Sequence, residues 1–566
     1  MPNSRAAIKA ATIDAPPSGM LEPSLALFGK PIDATICRTL QFVYGVNTPR
    51  ALPVAGGVAS GLITPRDLTA IGSRLFYSSM MKSISRVFAF ILVIGIVFGQ
   101  LLESRAEEVF RFRGYYITFM RMPTMGLTAW KQTVDCVQAD GGNTLLLWMA
   151  GAFRSKKFPV TWQYNREHKN VESDFARELI EYAHAKKIKV LLAFTPFAYD
   201  GVNQYPIEHP ELKAIQRNGS TAQFWGMHSW GYNLCPSQPA SQQFLLEYVR
   251  EMFFEFYPNA DGLMIESSDY AICFCPDCKE RFFNQEYKFV KQISEEVWQR
   301  KPDAMILVYP HYFSGRKVPG FDVAAAKQPF DPRWTLFFTP HSAHIDPDLI
   351  QRSKTSILWD DSPTRGTPAR IREAARKAQQ AKITGFVPSL EAYSFVMEHP
   401  EGGEAHLVGK RLKPFGFEWL TDGQMPFNEL LVRVNRIAYR EFSRNPDLPD
   451  TEFKKVLGAK ILGSRSNAQA IDDLLFVQES VFFDRSWWSA SPLLTPDFLK
   501  ERAAREKWSA GRLAGDRQRL ERVRQIEKRY RDATDQAESE LHRVAQIIVT
   551  KWDSAKPSVL DESAKQ

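Results

Sequence analysis

Residues 261–282 read "DGLMIESSDYAICFCPDCKERF". Gly262 to Ile265 is a short apolar run, the pattern of a strand buried on both faces, as in a parallel sheet. The far end of the stretch reads as the start of a helix. Between the two lie Glu266, Asp269, Cys273, Cys275 and Cys278. A strand that passes through a chemically dense loop into a helix is one βα unit, and the fold depends on how often that unit recurs.

After residue 110 it recurs throughout. Apolar, β-rich runs appear at 114–119 (GYYITF), 144–150 (TLLLWMA), 190–196 (VLLAFTP) and 262–267 (GLMIES). Four more follow at 304–310 (AMILVYP), 334–340 (WTLFFTP), 356–361 (SILWDD) and 383–391 (ITGFVPSLE). Helical patterns lie between them. In 174–188, Phe175, Leu179, Ile180, Ala183 and Ile188 share one face; in 238–257, Phe244, Leu245, Tyr248, Val249, Met252, Phe253 and Phe256 form a wide stripe. The segment 367–382 opens with Thr-Pro, a cap followed by proline at the first helical position. Eight such alternations predict an α/β chain, a (β/α)8 TIM barrel over 107–425. An open doubly wound sheet is the alternative, but no strand leads into a glycine-rich phosphate loop. Residues 426–566 read as an α-helical region, with helices over 427–444, 450–462 and much of 495–552. Val523, Ile526, Tyr530, Ala533, Ala537, Leu541, Val544 and Ile548 repeat at threes and fours. That stripe suits packing on the barrel, or a dimer through these helices. The last dozen residues are polar and read as disordered.

Composition narrows the class. The chain has 566 residues, 44% of them hydrophobic, and a net charge of +8. Length allows a large core. Lysine and arginine are interspersed with acids, so no nucleic-acid stripe is present. Aromatics make up 12%, including 13 Trp and 39 Phe. Six cysteines in so long a chain do not make a disulfide scaffold. Ahead of the barrel, Lys82 and Arg86 precede an unbroken apolar stretch from Val87 to Phe98, and Ser104 and Ala106 offer small residues for cleavage. This is the layout of a secretory signal peptide over 81–106, and is short for a membrane span. Residues 1–80 then read as a disordered leader or a mis-called extension before a start at Met81 (or Met80). The expected location is secreted or periplasmic, with no stable membrane span once the signal is cleaved; an N-terminal membrane anchor is the alternative.

Chemistry in such barrels sits at the C-terminal ends of the strands. Those ends carry Tyr199 and Asp200 (strand 3), Glu266 and Asp269 (strand 4), and Tyr309, His311 and Tyr312 (strand 5). They go on to His341 and His344 (strand 6), Trp359, Asp360 and Asp361 (strand 7), and Glu391 and Tyr393 (strand 8). The loop before the third helix adds Trp225, His228 and Trp230. Carboxylates framed by Trp and Tyr suit glycoside cleavage. One carboxyl protonates the leaving oxygen, and a second attacks or activates water, while flat rings take the apolar faces of sugars. Glu266 is the candidate acid, and Asp360, Asp361 or Glu391 the second carboxylate. Asp269, Tyr199, Trp225, His228, Trp230, Tyr309, His311, His341, Trp359 and Tyr393 are the candidate carbohydrate contacts. A strand-end aspartate can instead cap a helix, and a strand-end Trp can be core. The rival readings are a carbohydrate-binding barrel without turnover and a metal-dependent hydrolase using His311, His341 and His344. The second lacks the spacing of the familiar histidine motifs.

Residues 262–278, with "LCPSQP" (234–239) ahead of them, resemble a family-20-like class of bacterial barrel glycosidases, in which "CPS" opens the third helix and a glutamate ends strand 4. The segment 430–463, "LLVRVNRIAYREFSRNPDLPDTEFKKVLGAKILG", resembles the part after the barrel in family 67 α-glucuronidases. That resemblance implies an inverting hydrolase with a strand-4 glutamate as acid and an Asp and a Glu on later strands flanking the water. Glu266, Asp360 or Asp361, and Glu391 match those roles in order.

Cys235 lies in the loop after strand 3, and Cys273, Cys275 and Cys278 in the loop after strand 4. Those loops are neighbours in a barrel. Four thiolates there can hold a structural zinc with no open position; two disulfides are the alternative. No other cofactor is expected.

Overall fold

The computed structural model describes residues 109–117, 126–149, 151–163, 174–198, 201–221, 223–224, 231–267, 273–315, 326–338, 346–359, 366–388, 430–481 and 510–563. The leader and signal peptide expected over 1–106 lie outside them. Among the described residues, no helix is long and apolar enough to cross a membrane.

Eight parallel strands close into a barrel: β1 (Phe112–Ile117), β2 (Thr144–Trp148), β3 (Lys189–Phe194), β4 (Gly262–Ile265), β5 (Met305–Val308), β6 (Thr335–Phe338), β7 (Ser356–Leu358) and β8 (Gly385–Phe386). Each pairs with its sequence neighbours, and β1 with β8. All eight predicted runs become strands. They are buried along nearly their whole length because helices cover the outside and side chains fill the inside. Tight contact between strands requires glycine in places. A Cβ on Gly262 would lie 1.8 Å from the Met305 carbonyl oxygen, and one on Gly114 would lie 1.6 Å from that of Thr144.

The outer layer comprises α1 (Leu127–Ala139), α2 (Ala176–Ala185), α3 (Pro239–Arg250), α4 (Phe282–Arg300), α5 (Pro347–Arg352), α6 (Pro368–Gln380) and α7 (Leu430–Phe442). α6 begins as its sequence predicts, with Pro368 at the first turn and Thr367 Oγ1 accepting the Arg370 N–H at 3.4 Å. The helix expected over 238–257 is interrupted: after Arg250 the chain widens into a π-helical turn, Glu251–Phe256. There the Glu251 carboxylate, 1% exposed, accepts Ser155 Oγ at 2.5 Å and the Lys156 N–H at 2.9 Å. The turn therefore places an acid inward, where it binds the loop after β2.

α7 packs on α6 and closes the layer over the β1–β8 seam. Tyr439 Oη accepts the Gly114 N–H at 2.7 Å and donates to the Phe386 carbonyl at 2.9 Å. Arg436 forms a buried two-pronged pair with Asp140, at 2.8 and 3.0 Å, and Tyr115 Oη donates to the same carboxylate at 2.7 Å.

Beyond the barrel lie α8 (Asp450–Ile461), α9 (Ala468–Val481), α10 (Ala510–Arg529) and α11 (Gln536–Ser563). The predicted stripe is covered within the chain: Val523, Ile526, Leu541, Val544 and Ile548 are buried, with α10 against α11 and α11 resting on α7 and α9. α11 runs on to Ser563, so most of the final dozen residues, read from sequence as disordered, are helical. Asp473 of α9, 1% exposed, takes Tyr530 Oη at 3.2 Å and pairs with Arg529.

Tyr439→Phe removes a side-chain bridge between β1 and β8 and leaves a buried N–H without its acceptor. It is expected to cost about 1–3 kcal/mol, read as a lower urea midpoint. An unchanged midpoint would show that the seam holds without it.

Candidate active site and cysteine cluster

Alternation along the strands turns Tyr116, Trp148, Glu266, Tyr309 and Phe337 to one end of the barrel interior. Ring contacts confirm the grouping: Tyr116 lies 6.3 Å from Trp148 and 6.2 Å from Phe337, and Tyr309 lies 5.6 Å from Phe337. Glu266, half-buried, follows directly on β4, its N–H held by the Phe194 carbonyl at 2.9 Å. Tyr116 Oη donates to Glu266 Oε2 at 3.1 Å and Tyr309 Oη to Oε1 at 2.8 Å. Tyr309, a candidate sugar contact by sequence, thus meets the carboxylate itself. His311 stacks on Tyr309, with centroids 5.4 Å apart and planes 14° apart, and is buried. Trp359 is buried just past β7.

The residue after Glu266 is also anchored. Ser267 Oγ donates to Glu286 Oε2 at 2.9 Å, and Tyr312 Oη donates to the same oxygen at 2.9 Å. Glu286 is fully buried on α4. Burial first, and the Glu286 charge second, push the Tyr312 phenol well above its usual range, so it remains a donor.

Asp360, Asp361 and Glu391, the candidates for a second carboxylate, lie outside the described residues, as do Asp269, Tyr199, Asp200, Trp225, His228, Trp230, His341, His344 and Tyr393. Three groups that a search for acids and strand-end aromatics does not single out are prominent here: Tyr116, Trp148 and Thr195. Their signal is a polar atom inside an apolar run at a position of inward parity. Trp148 Nε1 and Thr195 Oγ1 are buried with no hydrogen-bond partner among the described residues.

The cysteines meet as predicted. The Sγ atoms of Cys235, Cys273, Cys275 and Cys278 all lie within 4.8 Å of one another. Cys235 is 3.6 Å from Cys273, 3.7 Å from Cys275 and 3.8 Å from Cys278. A disulfide needs about 2.05 Å, and all four are free thiols. Metal–sulfur bonds of about 2.3 Å in a tetrahedron put sulfurs about 3.8 Å apart, so the donor set fits a four-thiolate metal ion. The Ile215 N–H points at Cys273 Sγ at 3.4 Å, and the Phe274 N–H bonds the Ile215 carbonyl at 2.7 Å. Hydrogen bonds from the Cys273 and Cys278 thiols pull Cys235 far below the ordinary thiol range, and the same contacts push those two up.

No family model matches the chain, and no curated protein does. Among solved structures it is similar to a family 20 chitobiase of Flavobacterium johnsoniae, with 11% identity over 81% of this chain and 73% of that one and a TM-score of 0.40. It is similar to a family 138 enzyme targeting pectin rhamnogalacturonan II, at 11% over 81% and 60%, with a TM-score of 0.45. It is also similar to a β-N-acetylhexosaminidase from Bacteroides fragilis, at 11% over 63% and 71%, with a TM-score of 0.41.

Thr195→Val keeps the shape and removes a buried hydroxyl that has no partner among the described residues. Its expected effect is a melting temperature unchanged or raised, because burying an unpaired polar group costs about 1–3 kcal/mol. A clear fall would show that the hydroxyl is paired in solution, for instance by bound water.

Proposed function

We propose that the protein is a glycoside hydrolase that cleaves O-glycosidic bonds of oligo- or polysaccharides with Glu266 as general acid. The observation that carries this reading is a half-buried glutamate at the C-terminal end of β4, held between two tyrosines in the aromatic end of a barrel. In this reading Glu266 gives its proton to the leaving oxygen. Asp360, Asp361 or Glu391 activates water on the opposite face of the sugar. Trp148, itself buried, backs Tyr116 beside the acid. Strand 7 lies nearly opposite strand 4 in the ring, and an aspartate there is one methylene shorter than a glutamate. That favours the wider carboxyl spacing of about 6.5–9.5 Å, which admits water and inverts the anomeric centre.

The test is a screen against aryl glycosides and plant or algal polysaccharides. On any natural glycoside that is turned over, Glu266→Gln should cut kcat/KM by at least ~100-fold. Near-normal activity would remove Glu266 from the chemistry. Proton NMR of the first-formed sugar should show the anomer opposite to the substrate's; the substrate's own anomer would make the second carboxylate a nucleophile. Glycan binding without turnover anywhere in the panel would favour a non-catalytic barrel.

The four-cysteine cluster is read as a structural zinc site, because sulfur spacings near the tetrahedral edge leave no donor position for chemistry. Zinc there would tie the segment around Ile215 and Cys235 to the loop that leaves Glu266. Protein purified without added metal should contain about one zinc per chain. Cys275→Ser should lower stability by several kcal/mol, on the order of losing a structural ligand. Metal-free protein with an unchanged melting temperature in this variant would exclude the site.

A further inference from the structure

The geometry assigns Tyr116 and Tyr309 a role as positioning residues, which hold Glu266 by its two carboxylate oxygens and bias it toward the ionised form. The assignment rests on Glu266 being the working carboxyl, but its test does not need turnover.

The two phenols come from opposite sides of the barrel. β5 is the neighbour of β4, while β1 is four strands from β5 around the ring. Tyr116 is 1% exposed and Tyr309 3%, so neither ring is free to swing. Phe337 of β6 packs against both, edge-on to Tyr116 at 89° and at 61° to Tyr309. Trp148 backs Tyr116, and His311 backs Tyr309. Each hydroxyl therefore reaches its carboxylate oxygen from a ring already in place.

A phenol has one proton to donate. Two phenols donating one to each oxygen match an ionised carboxylate, which accepts at both oxygens and donates at neither. If Glu266 takes up a proton, one oxygen becomes a donor, and the phenol opposite it must turn its own proton away. Hydrogen bonds to the charged form favour that form, so this pair lowers the affinity of Glu266 for a proton.

The other groups around Glu266 can be set against this. From its own loop, Ser267 leads to the buried carboxyl of Glu286 on α4, which also takes Tyr312. His311 stands behind Tyr309. β2, β3, β6 and β7 contribute Trp148, Thr195, Phe337 and Trp359 at this end, none of them charged. Asp269, Asp360, Asp361, Glu391, His341 and His344 lie outside the described residues. Nearby carboxylates raise the affinity for a proton and the phenols lower it, so the phenols make a protonated Glu266 a readier donor to the leaving oxygen, after which it must take up a proton before the next transfer.

The experiment uses the full chain labelled with [5-13C]glutamate. The Glu266 carboxyl resonance is assigned by its absence in Glu266→Gln and followed through a pH titration. In Tyr116→Phe and in Tyr309→Phe its midpoint should rise by about one to two pH units, the size of a hydrogen bond to a charged group. Site-specific 3-fluorotyrosine at position 309, a stronger donor on the same ring, should move the midpoint below that of the wild type. Opposite shifts from loss and from strengthening of the donor are not produced by a purely structural role. Midpoints that stay put in both Phe variants, or that fall, overturn the assignment. If one Phe variant fails to fold, the other and the fluorinated protein still decide it. Where the screen yields a substrate, one limb of the kcat/KM profile should rise with the midpoint: the alkaline limb if Glu266 is the acid, the acid limb if it is base or nucleophile. A profile in which neither limb moves counts against the assignment, whatever the fate of the hydrolase reading.

Discussion

Everything in this protein depends on the closure of one parallel sheet. Here the parallel ladder continues around to its start, so every strand is paired on both sides and no edge is left open. Three joints of that circle have only two residue pairs in register, and one of them is the closing seam between β1 and β8, where Phe112 stands opposite Gly385 and Arg113 opposite Phe386. The seam is supplemented from outside the ladder. The Arg111 and Phe112 N–H groups both reach the Thr384 carbonyl, at 2.7 and 3.2 Å, and Tyr439 bridges Gly114 to Phe386. Arg113, 7% exposed, turns its guanidinium onto the carbonyls of Gly141 and Phe110. The Asp140–Arg436 pair then fastens α7 over the joint.

The seam bears directly on the site. β1 carries Tyr116, one of the two donors to Glu266, so the geometry of a carboxyl on β4 depends on a strand held by its closure with β8. The segment that leaves Glu266 is restrained at both of its described ends. Ser267 is tied to the buried Glu286, and Cys273 to the cysteine cluster and the Ile215 N–H. Only five residues, 268–272, connect these anchors. In the proposed hydrolase, these anchors and the two phenols would hold the Glu266 carboxyl before a substrate arrives, which is a form of preorganisation.

Sequence reading went furthest where the physics is local. Continuous apolar runs of β-branched and aromatic residues, bounded by turns, are sufficient to mark strands buried on both faces, and all eight appear where the pattern puts them. Thr367-Pro368 marks a helix start because cap and proline act within one turn. The cysteine cluster was legible because strands 3 and 4 are adjacent in any such barrel, which brings Cys235 to Cys273, Cys275 and Cys278. Glu266 was legible for the same reason, as the last residue of an apolar run whose C-terminal end must face the mouth of the barrel.

Tertiary structure alone decided what surrounds Glu266. Tyr116 lies 150 residues away in sequence, and its hydroxyl counts as a polar atom in a core strand until the barrel closes and turns it across the interior. Tyr309 looked like a surface for sugar; its hydroxyl is committed to the carboxylate because β5 lies beside β4. The break at Glu251 has the same origin, since an acid in the middle of an apolar stripe turns inward only when a distant loop offers Ser155 and backbone N–H groups to bind it. Periodicity determines which face of an element is buried. Which polar atom then meets which across that buried space is set by strand order and register, and these exist only in the closed fold.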